Sequence, residues 1–171
     1  RGFRVRAFTM GQISDAVDVR GSLEGMAARL ASERGLNTQA RHELHDCLAV
    51  GQSLVEEADR RDTGVNALQW SELNMRFHGL IVRASGNEAL AATLQFVSRI
   101  PMAGANALTL QGLVPSLGTS FIRRAQHDHV DVVQAMEQQA GARADAIMRE
   151  HAFRSRENKK LLIARLSLTL R

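Results

Sequence analysis

Proline is scarce in this chain: Pro101 and Pro115 are the only two in 171 residues, so long stretches carry no helix breaker. Tyrosine is absent, Trp70 is the single tryptophan, and aromatic residues make up 4%. The interior has no basic stripe with interleaved aromatics, which makes this region on its own a poor nucleic-acid binder. The single cysteine, Cys47, excludes an internal disulfide and fits a reducing, cytoplasmic setting. It sits between Leu44 and Leu48 and is expected to be a small buried residue. No run of about 18 apolar residues exists, so no membrane span is expected. No signal peptide is expected from the opening residues. The first residues, Arg1 to Thr9, read instead as the tail of a preceding region.

What remains is the composition of a helical domain. Apolar residues make up 44%, and Ala, Leu, Arg, Glu and Gln are plentiful. The length suits one domain rather than two. The formal charge of +4 comes partly from the ends, where Arg1, Arg4 and Arg6 open the chain and Lys159, Lys160, Arg165 and Arg171 close it. Such ends are ordinarily solvated tails.

Residues 1–9 alternate loosely and read as a short strand or extended linker. Thr9 with Gln12 forms a capping box for a first helix, in which Ile13, Ala16, Val17, Leu23, Ala27, Leu30 and Ala31 keep helical period up to Arg34. Gly35 ends it. Asn37 or Thr38 caps a second helix over about 38–60, with Leu44, Leu48 and Leu54 inward. A third helix runs over about 66–84 and stops at Ser85-Gly86-Asn87. Asn87 caps a fourth, from Glu88 to about Ile100. Residues 102–114 are ambiguous between a loop and a short helix. Pro115 opens a fifth helix, to about Gln139, and a sixth covers about 142–168. The expected fold is all-α, an antiparallel bundle of six to seven helices.

Several polar groups share faces with this apolar core. Asn74, Phe77, His78 and Ile81 fall at i, i+3, i+4 and i+7, so Asn74 and His78 point inward. His129 shares a face with Val132, Val133 and Met136, and His151 with Ala144, Ile147 and Met148. Three imidazoles and an amide oxygen suit a borderline divalent ion such as Zn²⁺ or Ni²⁺. The candidate metal set is therefore Asn74, His78, His129 and His151. His42, His45 and His127 are expected to face water. Arg20 lies on the buried face of the first helix and has two readings: an internal pair with Glu24, or a bidentate clamp for a carboxylate effector.

These residues resemble a known family. Arg20-x-x-Leu23-Glu24 with Ala27, Ala28 and Ala31 looks like the opening helix of the C-terminal effector-binding (FCD) domain of GntR-type transcription regulators, FadR subgroup. The likeness continues through Asn74-x-x-Phe77-His78, Ser85-Gly86-Asn87-x-x-Leu90, His129 with Val132 and Ala135-Met136, and Met148-x-x-His151. The segments around His78 and His151 look most like vanillate-responsive repressors. The resemblance implies a helical bundle that binds a divalent metal through an acidic residue and three histidines, with a small organic acid completing the coordination. Those positions are Asn74, His78, His129 and His151. It also implies a homodimer and an N-terminal winged helix-turn-helix that reads DNA. Residues 1–9 would be the end of that region and 10–171 the effector-binding, dimerising domain. The family usually has Asp where Asn74 stands. A neutral amide either weakens the metal or makes the site lean on an anionic effector.

Two other functions fit some of these features. A three-histidine metal can activate water, as in a metal hydrolase, but needs a general base; Glu72 and Glu150 are rotated off the inward face. A metal-free helical sensor or interaction domain would keep its histidines internally hydrogen-bonded.

Overall fold

The computed structural model describes residues 9–100, 103–104 and 115–169, with side chains placed for residues 9–100, 103–104 and 118–165. Six α-helices and no strand occur among the described residues: α1 (Met10–Arg34), α2 (Thr38–Arg61), α3 (Ala67–Ala84), α4 (Glu88–Val97), α5 (Pro115–Glu137) and α6 (Gly141–Thr169). The all-α bundle expected from the sequence is what forms. The extended reading of residues 1–8 and most of the ambiguous 102–114 segment lie outside the described residues.

Local chemistry sets the helix ends. Thr9 Oγ1 accepts from the Gln12 backbone N–H at 3.2 Å, and the Gln12 side chain accepts from the Thr9 N–H at 3.1 Å, completing the capping box. Asn37 caps α2 by accepting from the Ala40 N–H at 2.8 Å. Asn87 caps α4 through the Leu90 N–H at 3.1 Å. Gly35 takes a φ of 80°, where a side chain would be strained, and lets the chain leave α1. Helix α4 ends at Val97, three residues earlier than the pattern predicts. The chain then tightens into turns, with the Ile100 N–H donating to the Val97 carbonyl, as expected for residues approaching a proline.

Side-chain pairs give the helix directions. Along α1, Asp18, Gly21, Gly25 and the Arg29–Glu33 turn meet Arg156, Ala152, Asp145 and Gly141 of α6 in descending order, so these helices are antiparallel. Along α2, His45, Leu48 and Asp59 meet Glu137, Gln126 and Arg123 of α5, again antiparallel. Helix α1 also packs on α3, α4 and α5 and is therefore the central element. Its buried residues are mostly small: Ala16, Gly21, Gly25, Ala27, Ala28, Ala31 and Ser32. Close helix approach on several sides needs small residues.

The main apolar core gathers Ala27, Ala28 and Ala31 with Leu44, Phe77, Ile81, Val132, Val133, Met136 and Met148. A second cluster surrounds fully buried Trp70 with Val55, Val65 and Ile122. On α2 the buried line is Leu44, Cys47, Gly51, Val55 and Ala58, whereas Leu48 and Leu54 are half-buried. The expected inward leucines were thus partly off the face, because the small residues Cys47 and Gly51 take the close-packed side.

Candidate metal centre

The three inward histidines come from three helices and meet. His78 on α3, His129 on α5 and His151 on α6 each offer a ring nitrogen, and these atoms all lie within 4.8 Å of one another. Ring centroids are 5.5 Å apart for His78–His129, 5.3 Å for His78–His151 and 5.0 Å for His129–His151. All three are buried, as is Asn74. His129 is held by its neighbours: its ring stacks on Phe77 at 3.9 Å between centroids and lies nearly parallel to Trp70 at 5.7 Å.

A cation–carboxylate system surrounds the cluster. Arg20 donates from Nε to Glu24 Oε1 at 2.9 Å and from Nη1 to the Ala103 carbonyl at 3.1 Å, while its Nη2 lies 3.5 Å from both ring nitrogens of His78. Glu24 Oε1 also faces His78 Nδ1 at 3.1 Å. On the other side, Asp128 accepts from Arg154 at 2.8 Å and Arg124 at 3.1 Å, and its second oxygen is 3.3 Å from His151 Nδ1.

Burial and charge decide the protonation states. Burial lowers His78 to about 4, although Glu24 pulls the other way. Burial also holds His129 well below its ordinary value, with His151, His78 and Arg20 adding to the effect. These two imidazoles are neutral at pH 7 and keep a lone pair. Burial alone would raise Glu24, but Arg20 and His78 outweigh it and hold the carboxyl well below the usual range. Asp128 follows the same pattern: burial raises it, and His151, Arg154 and Arg124 together bring it down.

These features fit a divalent ion. Neutral imidazole is the ligating form, and His129 Nε2 is buried with no hydrogen-bond partner. A tetrahedral ion at ~2.1 Å needs its nitrogen ligands ~3.4 Å apart, which small ring movements supply from the observed spacing. Arg20, Asn74, Asp128, His151 and Arg154 border a cavity of about 30 Å³ beside the cluster, room for a water or two.

Other candidates fall where the sequence put them. His42 and His45 are exposed, pairing with Asp46 and Glu137, and His127 is exposed. Glu72 and Glu150 are exposed, off the cluster. Arg20 forms the internal pair with Glu24, and it also borders the cavity. Two residues were missed. Asp128 sits at i−4 from Val132 and i−7 from Ala135, so its inward position was readable. Lys159, counted above as part of a basic tail, is buried, and lies seven residues after Ala152 and three before Leu162 on the inner face of α6.

An all-α bundle with a buried cluster of three histidines, bordered by an internal arginine, defines the class. Residues 15–154 match the FCD domain family, and the chain belongs to it. The fold also resembles a solved structure of GntR from Streptococcus agalactiae, with a TM-score of 0.65 and 18% identity. That match covers 91% of this chain and 63% of the streptococcal one, so the chain spans under two thirds of that protein's length. At this identity the likeness is one of fold. None of the curated proteins compared with the chain matches it. No helix among the described residues is long and apolar enough to cross a membrane.

Proposed function

We propose that this chain is the ligand-sensing domain of a GntR-type transcription regulator and not an enzyme. A divalent ion, Zn²⁺ or Ni²⁺, is held by His78, His129 and His151 with Asn74 beside them, and a small carboxylate is the effector. The observation that carries this reading is the convergence of three buried histidines, one with an unpartnered Nε2, in a domain of the FCD family. When bound, the ion supplies positive charge and open coordination positions to an anionic oxygen. Arg20 supplies a guanidinium at the same cavity. An aromatic acid is the preferred effector class, following the resemblance of the segments around His78 and His151 to vanillate-responsive repressors.

The cavity of about 30 Å³ has room for a water or two, so the entry of an aromatic acid calls for side chains at the cavity wall to move. That requirement links binding to shape. Effector binding favours one arrangement of the helices, and differential affinity for that arrangement is what shifts the equilibrium. In the full protein, residues 1–9 would end a winged helix-turn-helix region and 10–171 would sense and dimerise, so that the shift alters how two DNA-reading domains are presented. Against catalysis stands the commitment of the nearest acids: Glu24 and Asp128 are both held ionised in ion pairs and make poor general bases.

A thermal-shift screen of aromatic and aliphatic carboxylates tests this, with zinc, with nickel and after chelation. A ligand at 100 times its Kd stabilises by about 2.7 kcal/mol, a rise of roughly 5–10 °C for a domain of this size. The expected shift needs the metal and is reduced in Arg20→Lys. One observation favours a second reading, a metal-free helical sensor: Glu24 and Asp128 already engage two of the three histidines. A carboxylate shift that survives both chelation and His78→Ala selects it.

A further inference from the structure

Two acids lie against the histidine cluster without belonging to it. Glu24 Oε1 is 3.1 Å from His78 Nδ1, and Asp128 Oδ2 is 3.3 Å from His151 Nδ1. Both side chains are buried. Neither falls within the set of mutually close ligand atoms, which among the described residues holds the three imidazoles alone. Each acid comes from a different helix than its histidine, so the contacts run from α1 to α3 and from α5 to α6.

Resting on the metal reading above, we infer that Glu24 and Asp128 are positioning residues of the metal centre. Each accepts a hydrogen bond from the Nδ1–H of its histidine, turns Nε2 toward the ion, and supplies charge that Asn74 does not bring. A neutral imidazole carries one proton, so donation from Nδ1 leaves the lone pair on Nε2. The third histidine, His129, shows the same atom buried and without a hydrogen-bond partner. All three rings then present Nε2 once the Arg20 guanidinium, 3.5 Å from His78 Nε2, moves aside. A carboxylate behind a ligating histidine fixes the ring and raises its basicity. Asn74 adds no charge against a divalent ion, whereas the two acids add one negative charge each from the layer behind. Arg20, Arg124 and Arg154 pair with these acids, so the centre still favours an anionic effector.

Two measurements test this on the whole chain. In the metal-free wild type, imidazole ¹⁵N shifts should report His78 and His151 as Nδ1–H tautomers; Nε2–H tautomers overturn the inference. Zinc affinity is then read by competition with a chromophoric chelator. Glu24→Gln and Asp128→Asn should each weaken zinc roughly 10–100-fold while helix content holds. Adding Asn74→Asp to the Glu24→Gln chain should restore most of the loss, a charge rescue that a purely structural role would not give. Affinities within about twofold of wild type in both single variants overturn the inference and leave the metal reading standing. A wild type that binds no stoichiometric zinc overturns both.

Discussion

Gly21 of α1 packs directly on Ala152 of α6, and Gly21→Ala tests whether that approach holds the bundle together. A Cβ built at Gly21 would lie 2.5 Å from Ala152 Cβ. Relaxed carbon–carbon contacts sit near 3.5–4.0 Å, so about 1–1.5 Å of separation is missing. Ala152 is buried and has no rotamer to change, so relief requires α1 and α6 to move apart. Overpacking of this kind costs ~1–3 kcal/mol. Alanine in a helix interior recovers up to ~1 kcal/mol over glycine. The net expectation is a loss of ~1–2 kcal/mol, or a fall in Tm of roughly 2–8 °C by differential scanning calorimetry. Gly79→Ala on α3 is the control. There the nearest atom to a new Cβ is the flexible Arg83 Nη1 at 3.8 Å, so the propensity gain should appear alone and Tm should rise. Because α1 carries Arg20 and Glu24 while α6 carries His151, Gly21→Ala should also weaken metal binding. A Gly21→Ala protein as stable as Gly79→Ala would refute the close-packing account of the α1–α6 contact.

Other perturbations follow from single groups. Burial, with Arg20 nearby, lowers Lys159 to about 7 from its usual 10.5, partly offset by Glu24. Between those values the unfolded chain binds the proton and the folded one does not, so stability rises with pH across that window by up to a few (~5) kcal/mol. Lys159→Met should flatten this rise and stabilise the domain below pH 7, as read from urea midpoints across pH 6–10; an unchanged slope would contradict the burial of that amine. Asn87→Ala removes the cap of the ten-residue α4 and should cost about 1 kcal/mol by urea unfolding.

The elements of the fold were legible because their signals are local. Thr9–Gln12, Gly35, Asn37 and Asn87 each mark a helix end by chemistry confined to a few residues, and the structure puts them to that use. The histidines were legible because a helical period shows which way His78, His129 and His151 point, and three inward imidazoles in a small bundle have little choice but to meet. Glu24 and Asp128 were harder. Their roles depend on pairing across helices, Glu24 to a residue 54 positions away and Asp128 to one 23 away, which no period along a single helix encodes. Lys159 was misplaced for another reason. A lysine near the end of a basic segment looks like a solvated tail, although its spacing from Ala152 and Leu162 puts it on the inner face of α6.

The central claim is that three converging imidazoles hold an ion. It is tested most directly by equilibrating purified wild type and His129→Ala with Zn²⁺, or separately with Ni²⁺, removing excess, and measuring metal per chain by elemental analysis. His129 is the residue to remove, because its buried Nε2 has no hydrogen-bond partner to explain it. The account predicts one ion per wild-type chain and a loss of stoichiometric metal in the variant. A wild type that retains neither ion, or a variant that retains either as well as wild type does, would contradict it.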